Sequence, residues 1–423
     1  MANELGFNII LSTSRYALTV VAKTPVPGNP DLSQTIPGYI PQYRITRLRE
    51  FINQFKDNDK IWGFMLMDEP HFDNWYLPTD KMSHNTIDLT STYKEVETLC
   101  PDKAVYFNLA VDVSKTWIGG LANNSSLNKR EKYYRYLEMI YSKFTPKVLS
   151  YDYYPIYEKQ DGSIQVKGSF YLYLECIGEF STEKNLPIWA YPLSNQHDIY
   201  AINEYTDTRY KAITYPKPIV SYLRFQVFSA LACGAQGILY WTYGLPENKY
   251  FNSGTYKGEV LEEYFSAPLN KDLQPTSIWN ALQLVNREVN AYSRYFLNSK
   301  YISSVHAYGG GTSSIKKFEE VASFNSTFYC INGIHISDDA KGVMLSYLRN
   351  GSNHYLVIVS HDPKNDQTLE IDLSSEYKIW TPLEIVDTAG NISIIQEVAV
   401  NPQKNYTVRL VAGGFRIFKF AIK

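Results

Sequence analysis

The sequence has few cysteines, almost no net charge and no long apolar run. Its 423 residues carry a formal charge of −2, which argues against nucleic acid as the main partner because such an interface needs a basic face. No apolar run reaches the roughly 20 residues that cross a bilayer. The cysteines form no Cys-x-x-Cys pair, so buried thiols are expected rather than a metal or redox site; they are Cys100, Cys176, Cys233 and Cys330.

The sequence signatures of several enzyme classes are missing. There is no His/Cys/Asp cluster with metal-ligand spacing and no Gly-x-Ser-x-Gly pattern, so we expect neither a metal nor a cofactor. Gly309-Gly310-Gly311 lacks the following Lys-Ser/Thr of a phosphate loop and is interpreted as a hinge or hairpin. No signal peptide is visible at the start of the sequence. The sequence begins almost on a helix end, and we expect the N-terminus to be truncated relative to the ancestral fold.

What the sequence does have is aromatic residues, with 36 tyrosines, 20 phenylalanines and 7 tryptophans, 15% of the chain. Tyrosine and tryptophan combine an apolar face with a polar edge, which suits sugar rings with apolar C–H faces and hydroxyl rims. The alternative is that they fill a large core. Their clustering at the ends of predicted strands favours a role for some of them in carbohydrate binding.

A repeated strand pattern indicates the fold. The apolar run of residues 61–67 stops at Asp68-Glu69-Pro70, as expected of a buried parallel strand that brings acids to the open end of a sheet. Similar runs with polar or aromatic ends occur at residues 104–109, 148–155, 187–192 and 237–243. Predicted helices alternate with them, at residues 43–57, 88–99, 130–144, 169–184, 219–233 and 276–296.

This alternation predicts a (β/α)8-type barrel. With one or two runs at residues 5–12 and 17–22, the strand count stays below eight, so the barrel is expected to be incomplete at its N-terminus. Beyond about residue 300, short alternating runs separated by turn residues predict an antiparallel sandwich. The expected domains are a barrel over residues 1–299 and an all-β sandwich over residues 300–423.

Three of these segments resemble clan A glycoside hydrolases. Residues 63–70, ending Asp-Glu-Pro, resemble the fourth barrel strand of that family, which typically ends Asn-Glu-Pro. Residues 150–155 fit the sixth strand, and residues 230–243 look like the closing helix and eighth strand. The resemblance covers about residues 60–300, and a β-sandwich often follows the barrel in the family.

The resemblance implies that Glu69 is the general acid/base, because a glycosidic oxygen needs a proton as its bond breaks. Desolvation at a strand end would raise the pKa of Glu69; the alternative is a structural salt bridge. Asp68 replaces the family's asparagine and would accept a hydrogen bond from a sugar hydroxyl. The family's nucleophile, a glutamate after strand seven, has no counterpart in residues 193–198.

Asp152, at the end of strand six, is therefore the leading candidate for the second carboxylate, with a structural role as its alternative; Asp198 and Glu247 are weaker because they are predicted in loops. Other residues predicted at the barrel mouth would bind substrate: Asn108, Tyr151, Tyr153, Trp189, His197, Trp241 and Tyr243. The two tryptophans would stack on a sugar ring, and the histidine would donate a hydrogen bond. The alternative for each residue is a place in the core or in solvent.

The sequence thus predicts a glycoside hydrolase acting on an oligosaccharide or glycan, extracellular or periplasmic, without a membrane span, and with a monomer favoured. Two alternatives remain open at this point. A non-catalytic carbohydrate-binding protein on a degenerate barrel would explain the missing glutamate and the missing strands. A cell-surface or adhesion module would use the barrel only as a scaffold, since barrels host many functions.

Overall fold

The structure is a computed structural model that describes residues 9–12, 42–68, 93–109, 126–203, 205–251, 255–309, 315–316, 330–337, 341–386 and 392–423. Several features of the sequence analysis lie outside these residues. They are residues 5–8, the apolar run 17–22, Glu69, Pro70, the start of the helix predicted at residue 88, and Gly310 and Gly311 of the predicted hinge or hairpin.

Five helices carry labels in chain order: α1 Gln42–Phe55, α2 Lys129–Phe144, α3 Ser169–Lys184, α4 Val220–Ala232 and α5 Ser277–Phe296. Residues 93–99 are also helical. Helix α2 begins at a capping box in which Asn128 and Glu131 satisfy each other's backbone N–H groups. The positions agree with the predicted helices to within a few residues.

A six-stranded parallel sheet forms the α/β part of the fold. Strands are numbered in chain order, and this sheet has the order β1-β2-β3-β4-β7-β10. Its strands are Ile9–Ser12, Ile61–Asp68, Ala104–Leu109, Leu149–Asp152, Ile188–Tyr191 and Ala235–Ile238. Helices alternate with the strands along the chain, so the predicted fold class, an incomplete (β/α) barrel, is confirmed.

A second six-stranded sheet is antiparallel and was not predicted. Its order is β11-β12-β8-β9-β5-β6, and its strands are β5 Ile156–Glu158, β6 Ile164–Val166, β8 Gln196–Asn203, β9 Thr208–Tyr215, β11 Lys249–Tyr250 and β12 Val260–Ser266. The prediction that His197 and Asp198 lie in a loop is wrong, because both are in β8. Two strands of this sheet follow each of β4, β7 and β10 in the chain.

The C-terminal part consists of two antiparallel sheets, as predicted. One has the order β14-β13-β16-β17-β22-β19-β20 and the other β15-β18-β21. The strands are β13 Lys300–Ala307, β14 Ile315–Lys316, β15 Ile331–Ile336, β16 Val343–Asn350, β17 Asn353–Ser360, β18 Gln367–Leu373, β19 Tyr377–Val386, β20 Ile392–Val400, β21 Tyr406–Leu410 and β22 Phe415–Ile422.

Both C-terminal sheets contribute to one apolar core. Leu345, Ile358 and Phe418 enter it from the seven-stranded sheet, and Ile371 and Val408 enter it from the three-stranded sheet. Alternate residues of each strand point to the same face, so two sheets with one shared core form a sandwich.

The chain divides into two compact units, Met1–Asp152 with Glu183–Trp189, and Tyr153–Thr182 with Ala190–Lys423. The domain boundary predicted at residue 300 stays a prediction. All four cysteines are buried and outside disulfides. Among the described helices, none is long and apolar enough to cross a membrane.

Candidate active site

Three parallel strands place a hydrogen-bonded row of polar side chains near their carboxyl ends. Asp68 of β2 is in register with Asn108 of β3, and Asn108 is in register with Ser150 of β4. The Asn108 Nδ2 donates to Oδ1 of Asp68 at 2.8 Å, and its Oδ1 accepts from Oγ of Ser150 at 3.0 Å. Asn108 and Ser150 are buried, whereas Asp68 is exposed.

Asp152 is the last residue of β4 and is half-buried. It lies two residues after Ser150, and side chains two apart on a strand share a face. The carboxylates of Asp68 and Asp152 are therefore on the same face of the sheet, at its carboxyl edge, with the Asn108 strand between them. Such an edge is where parallel α/β folds hold their ligands.

Two aromatic residues predicted to bind substrate also lie in this first unit. Trp189 on β7 is half-buried and packs edge-to-face on Tyr106, with ring centroids 5.2 Å apart. Tyr106 is two residues before Asn108, so it belongs to the same face of β3. Tyr151 is different, because it alternates to the opposite face of β4 and only 3% of it is exposed. Glu69, the predicted acid, directly follows Asp68 in the sequence and lies outside the described residues.

His197 lies in the second unit, on β8, between two tyrosines of the neighbouring strands. Its cross-strand partners are Tyr215 of β9 and Tyr264 of β12, and their rings stack on the imidazole with centroids 4.6 and 5.0 Å away. The Nδ1 atom is 2.7 Å from Oδ1 of Asn195. Burial lowers the pKa of His197 to about 4, so its imidazole is neutral at pH 7.

Trp241 is connected to His197 through Asn195. The backbone carbonyl of Trp241 accepts from Nδ2 of Asn195 at 3.2 Å and from the backbone N–H of Ser194. The side chain of Trp241 is half-buried. The peptide bond between Trp241 and Thr242 is cis.

The remaining predicted aromatic residues, Tyr243 and Tyr153, have different surroundings. Tyr243 is 56% exposed and packs edge-to-face on Trp279, 5.7 Å away. Tyr153 is half-buried, stacks on Phe170 and shares a hydrogen bond with Ser169. Tyr243 therefore offers open aromatic surface, whereas Tyr153 is largely packed against helix α3.

The two weaker carboxylate candidates also lie in the second unit. Asp198 is 3% exposed, and its carboxylate forms an ion pair with Nζ of Lys211 at 2.5 Å. This pairing gives Asp198 a structural role. Glu247 lies between β10 and β11, outside any strand. Neither is part of the row formed by Asp68, Asn108 and Ser150.

The sequence analysis did not single out the partners that surround His197. Asn195, Tyr215 and Tyr264 come from separate segments, and Lys167 donates to the hydroxyl of Tyr215 at 2.9 Å. The residues of β9, Thr-Arg-Tyr-Lys-Ala-Ile-Thr-Tyr, include several β-branched and aromatic types that favour strands, and this composition could have revealed the strand. Among the described residues, no group of three or more His, Cys, Asp or Glu side chains is arranged to hold a metal ion.

No family model matches the sequence, and no curated protein matches it. Several glycoside hydrolases are among the solved structures similar to the chain. A GH10 endoxylanase from a sugarcane soil metagenome has a TM-score of 0.37 and 9% identity, covering 67% of this chain and 78% of its own. A family 44 endoglucanase of Clostridium acetobutylium has a TM-score of 0.37 and 9% identity, covering 89% and 70%.

The third structure is a β-galactosidase of Marinomonas ef1, with a TM-score of 0.32 and 9% identity, covering 60% of this chain. The chain spans 43% of that β-galactosidase and 65% of the length of xylanase 10B from Thermotoga petrophila. The predicted resemblance to clan A glycoside hydrolases is confirmed as a resemblance.

Proposed function

We propose that this protein is a glycoside hydrolase that cleaves O-glycosidic bonds of an oligosaccharide or glycan. Glu69 is the general acid and Asp152 the second carboxylate. The supporting observation is the row at the carboxyl edge of the parallel sheet, where the Asp68 carboxylate is held by Asn108 and Asp152 lies on the same face two residues beyond Ser150. Most glycoside hydrolases use two carboxyl groups that flank the bond they cleave.

Each proposed site residue has a distinct part in this proposal. Glu69 protonates the leaving oxygen. Asp152 either stabilises or attacks the anomeric carbon directly, or it acts as a general base on the water that attacks this carbon. One carboxylate oxygen of Asp68 accepts a hydrogen bond from Asn108. The carboxylate can also accept a hydrogen bond from a sugar hydroxyl. Trp189 provides an aromatic surface on the same unit. Carbohydrate is thus the proposed partner, and an extracellular or periplasmic location is part of the proposal.

The test is reducing-sugar release across a panel of plant and host glycans by wild type, Glu69→Gln and Asp152→Asn. Loss of a general acid or its partner is expected to lower turnover about 10²–10⁴-fold. Glu50→Gln, a change of an exposed carboxylate on α1, is the matched control and should retain wild-type turnover. Unchanged turnover by Glu69→Gln would overturn the assignment.

The second candidate function is carbohydrate binding without hydrolysis. It is favoured by the segment after β7, residues 193–198, which contains no glutamate. The same panel separates the two functions when calorimetry is added. Sugar binding by wild type without release of reducing ends from any glycan would support the binding protein and reject the hydrolase.

A further inference from the structure

The hydrogen bonds around Asn195 fix the orientation of its side-chain amide. The Trp241 carbonyl can only accept, so the Asn195 atom 3.2 Å from it is the Nδ2 donor. Thr242 gives its hydroxyl hydrogen to the carbonyl of Gly244 at 2.8 Å, so it also accepts from Asn195 Nδ2, at 3.4 Å. Two independent contacts therefore leave Oδ1 of Asn195 as the acceptor toward His197.

This orientation determines the tautomer of His197. Since Oδ1 of Asn195 accepts, Nδ1 of His197 carries the hydrogen at the 2.7 Å contact. A neutral imidazole with hydrogen on Nδ1 has a lone pair on Nε2. Among the described residues none hydrogen-bonds to Nε2, and only 3% of His197 is exposed. A buried lone pair that has no partner among these residues is a place for the hydroxyl of a ligand.

The surroundings hold this acceptor in one direction. Tyr215 and Tyr264 cover both faces of the imidazole at interplanar angles of 29° and 23°, so only the ring edge with Nε2 is available. Their hydroxyls are engaged, since Lys167 donates to Tyr215 and Tyr264 donates to Glu262. Of the charged groups that act on the imidazole, Lys249 lies 2.8 Å from Glu262, Asp198 pairs with Lys211, and Lys167 donates to the Tyr215 hydroxyl. A neutral acceptor beside charged groups that already have partners favours an uncharged O–H donor.

We infer that Nε2 of His197 accepts a hydrogen bond from a hydroxyl of a neutral sugar and so acts as a sugar-binding residue of the second unit; this inference rests on the proposed function for its ligand class. The sequence analysis expected His197 to donate this hydrogen bond. With hydrogen on Nδ1, His197 instead accepts it at Nε2. A sugar lacking that hydroxyl, or one with an ether oxygen there, leaves the lone pair without a donor.

The first experiment reads the tautomer directly in the full-length protein. Two-bond ¹H–¹⁵N correlation spectra of histidine-labelled protein at pH 7, with the His197 signals assigned from the spectrum of His197→Asn, should show hydrogen on Nδ1 and none on Nε2. A proton on Nε2 would overturn the inference whether or not the protein is an enzyme.

The second experiment adds xylobiose, cellobiose, lactose and any glycan that the wild type cleaves. At least one sugar should shift the His197 Nε2 resonance and bind at least tenfold more weakly to His197→Asn, which keeps an N–H group toward Asn195 but lacks Nε2. His354→Asn is the matched control, since His354 hydrogen-bonds to Tyr347 in the C-terminal sheet, and its sugar affinity should equal that of the wild type.

The outcomes separate this inference from the proposed function. A resonance shift without turnover of any glycan supports the His197 contact and rejects the hydrolase. Turnover without any shift rejects the contact and leaves the hydrolase intact. If His197→Asn does not fold, the His197 signals are assigned by elimination from single substitutions of the other histidines, and absence of a His197 shift with every sugar overturns the inference.

Discussion

Asn108 donates a hydrogen bond of 2.8 Å to the carboxylate of Asp68 on the neighbouring parallel strand. The same amide accepts from Ser150 on its other side. A buried asparagine thus connects three adjacent strands at the edge where the proposed catalytic residues follow. The hydrogen bond holds the side chain of Asp68, the last residue of β2.

Asn108→Ala is expected to lower the free energy of unfolding by about 1–3 kcal/mol, because it removes two hydrogen bonds and leaves the buried Ser150 hydroxyl without its acceptor. Urea denaturation measures the change. Ser150→Ala is the matched control; it removes one bond and should lower the free energy by about 0.5–1.5 kcal/mol. An Asn108→Ala protein as stable as Ser150→Ala would contradict the three-strand connection.

Stability should fall as the pH falls from about 6.5 to about 4, in part because of His197. Burial lowers its pKa to about 4 in the folded chain, while an unfolded histidine titrates near 6.5. The unfolded chain therefore binds a proton first, and acid favours unfolding. The contribution of the neutral His197 to the free energy of unfolding is fully present above pH 6.5. It has decreased by about 2 kcal/mol at pH 5 and is lost by about pH 4.

The measurement is the urea unfolding free energy of wild type and His197→Asn between pH 8 and pH 4. The burial-lowered pKa values of His354 and His361 act in the same direction in both proteins, so the difference between the two curves isolates His197. The variant should show the shallower decline. Parallel curves would mean that His197 titrates normally in the folded chain.

The sequence predicted the parts of this fold whose strands are buried on both faces or alternate clearly. The run ending at Asp68 and the run around Asn108 are continuous apolar segments, and the C-terminal strands show period-two alternation. The antiparallel sheet of the second unit was missed because its strands have few buried apolar residues. Strand β9, for example, has only one buried residue, Tyr215, so its hydrophobic signal is weak.

The candidate site was predicted only where strand ends define it. Asp68, Asn108 and Asp152 follow from the rule that parallel strands deliver side chains to one edge. The environment of His197 could not be predicted, since Tyr215 and Tyr264 reach it through the register of β9 and β12, which depends on tertiary structure rather than on local sequence. The tautomer of His197 depends in turn on Trp241 and Thr242.

Helices α4 and α5 are joined by an ion pair whose loss should be strongly destabilising. Arg224 donates from Nε to Glu288 Oε2 at 2.8 Å and from a second guanidinium nitrogen to Oε1, and Glu288 is 4% exposed. Glu288→Gln leaves a largely buried guanidinium without its counter-charge, so the free energy of unfolding should fall by about 3 kcal/mol.

Chemical denaturation of Glu288→Gln should be compared with that of Glu397→Gln. Glu397 pairs with Lys419 at 3.3 Å, and both side chains are partly exposed, so this control should change stability by about 0–1 kcal/mol. Equal effects of the two substitutions would show that burial of the Arg224 pair does not govern its strength.

The approach of strands β2 and β3 depends on glycine at position 63. A Cβ atom there would lie 2.3 Å from the carbonyl oxygen and 2.9 Å from the Cβ of Ala104, its partner in register. The oxygen belongs to the backbone, so relief requires the strands to separate. Gly63→Ala is expected to lower the free energy of unfolding by about 1–3 kcal/mol and, because β2 also carries Asp68, to lower glycan turnover.

Gly244→Ala is the matched control, because a Cβ at position 244 would meet no atom within 4 Å. Its stability should stay within about 0.5 kcal/mol of wild type. Thermal and urea unfolding of both variants, with reducing-sugar release on the best glycan, gives the comparison. If Gly63→Ala unfolds like Gly244→Ala and keeps full turnover, then β2 can move away from β3 without disturbing Asp68, and the close strand contact is not what positions the proposed site.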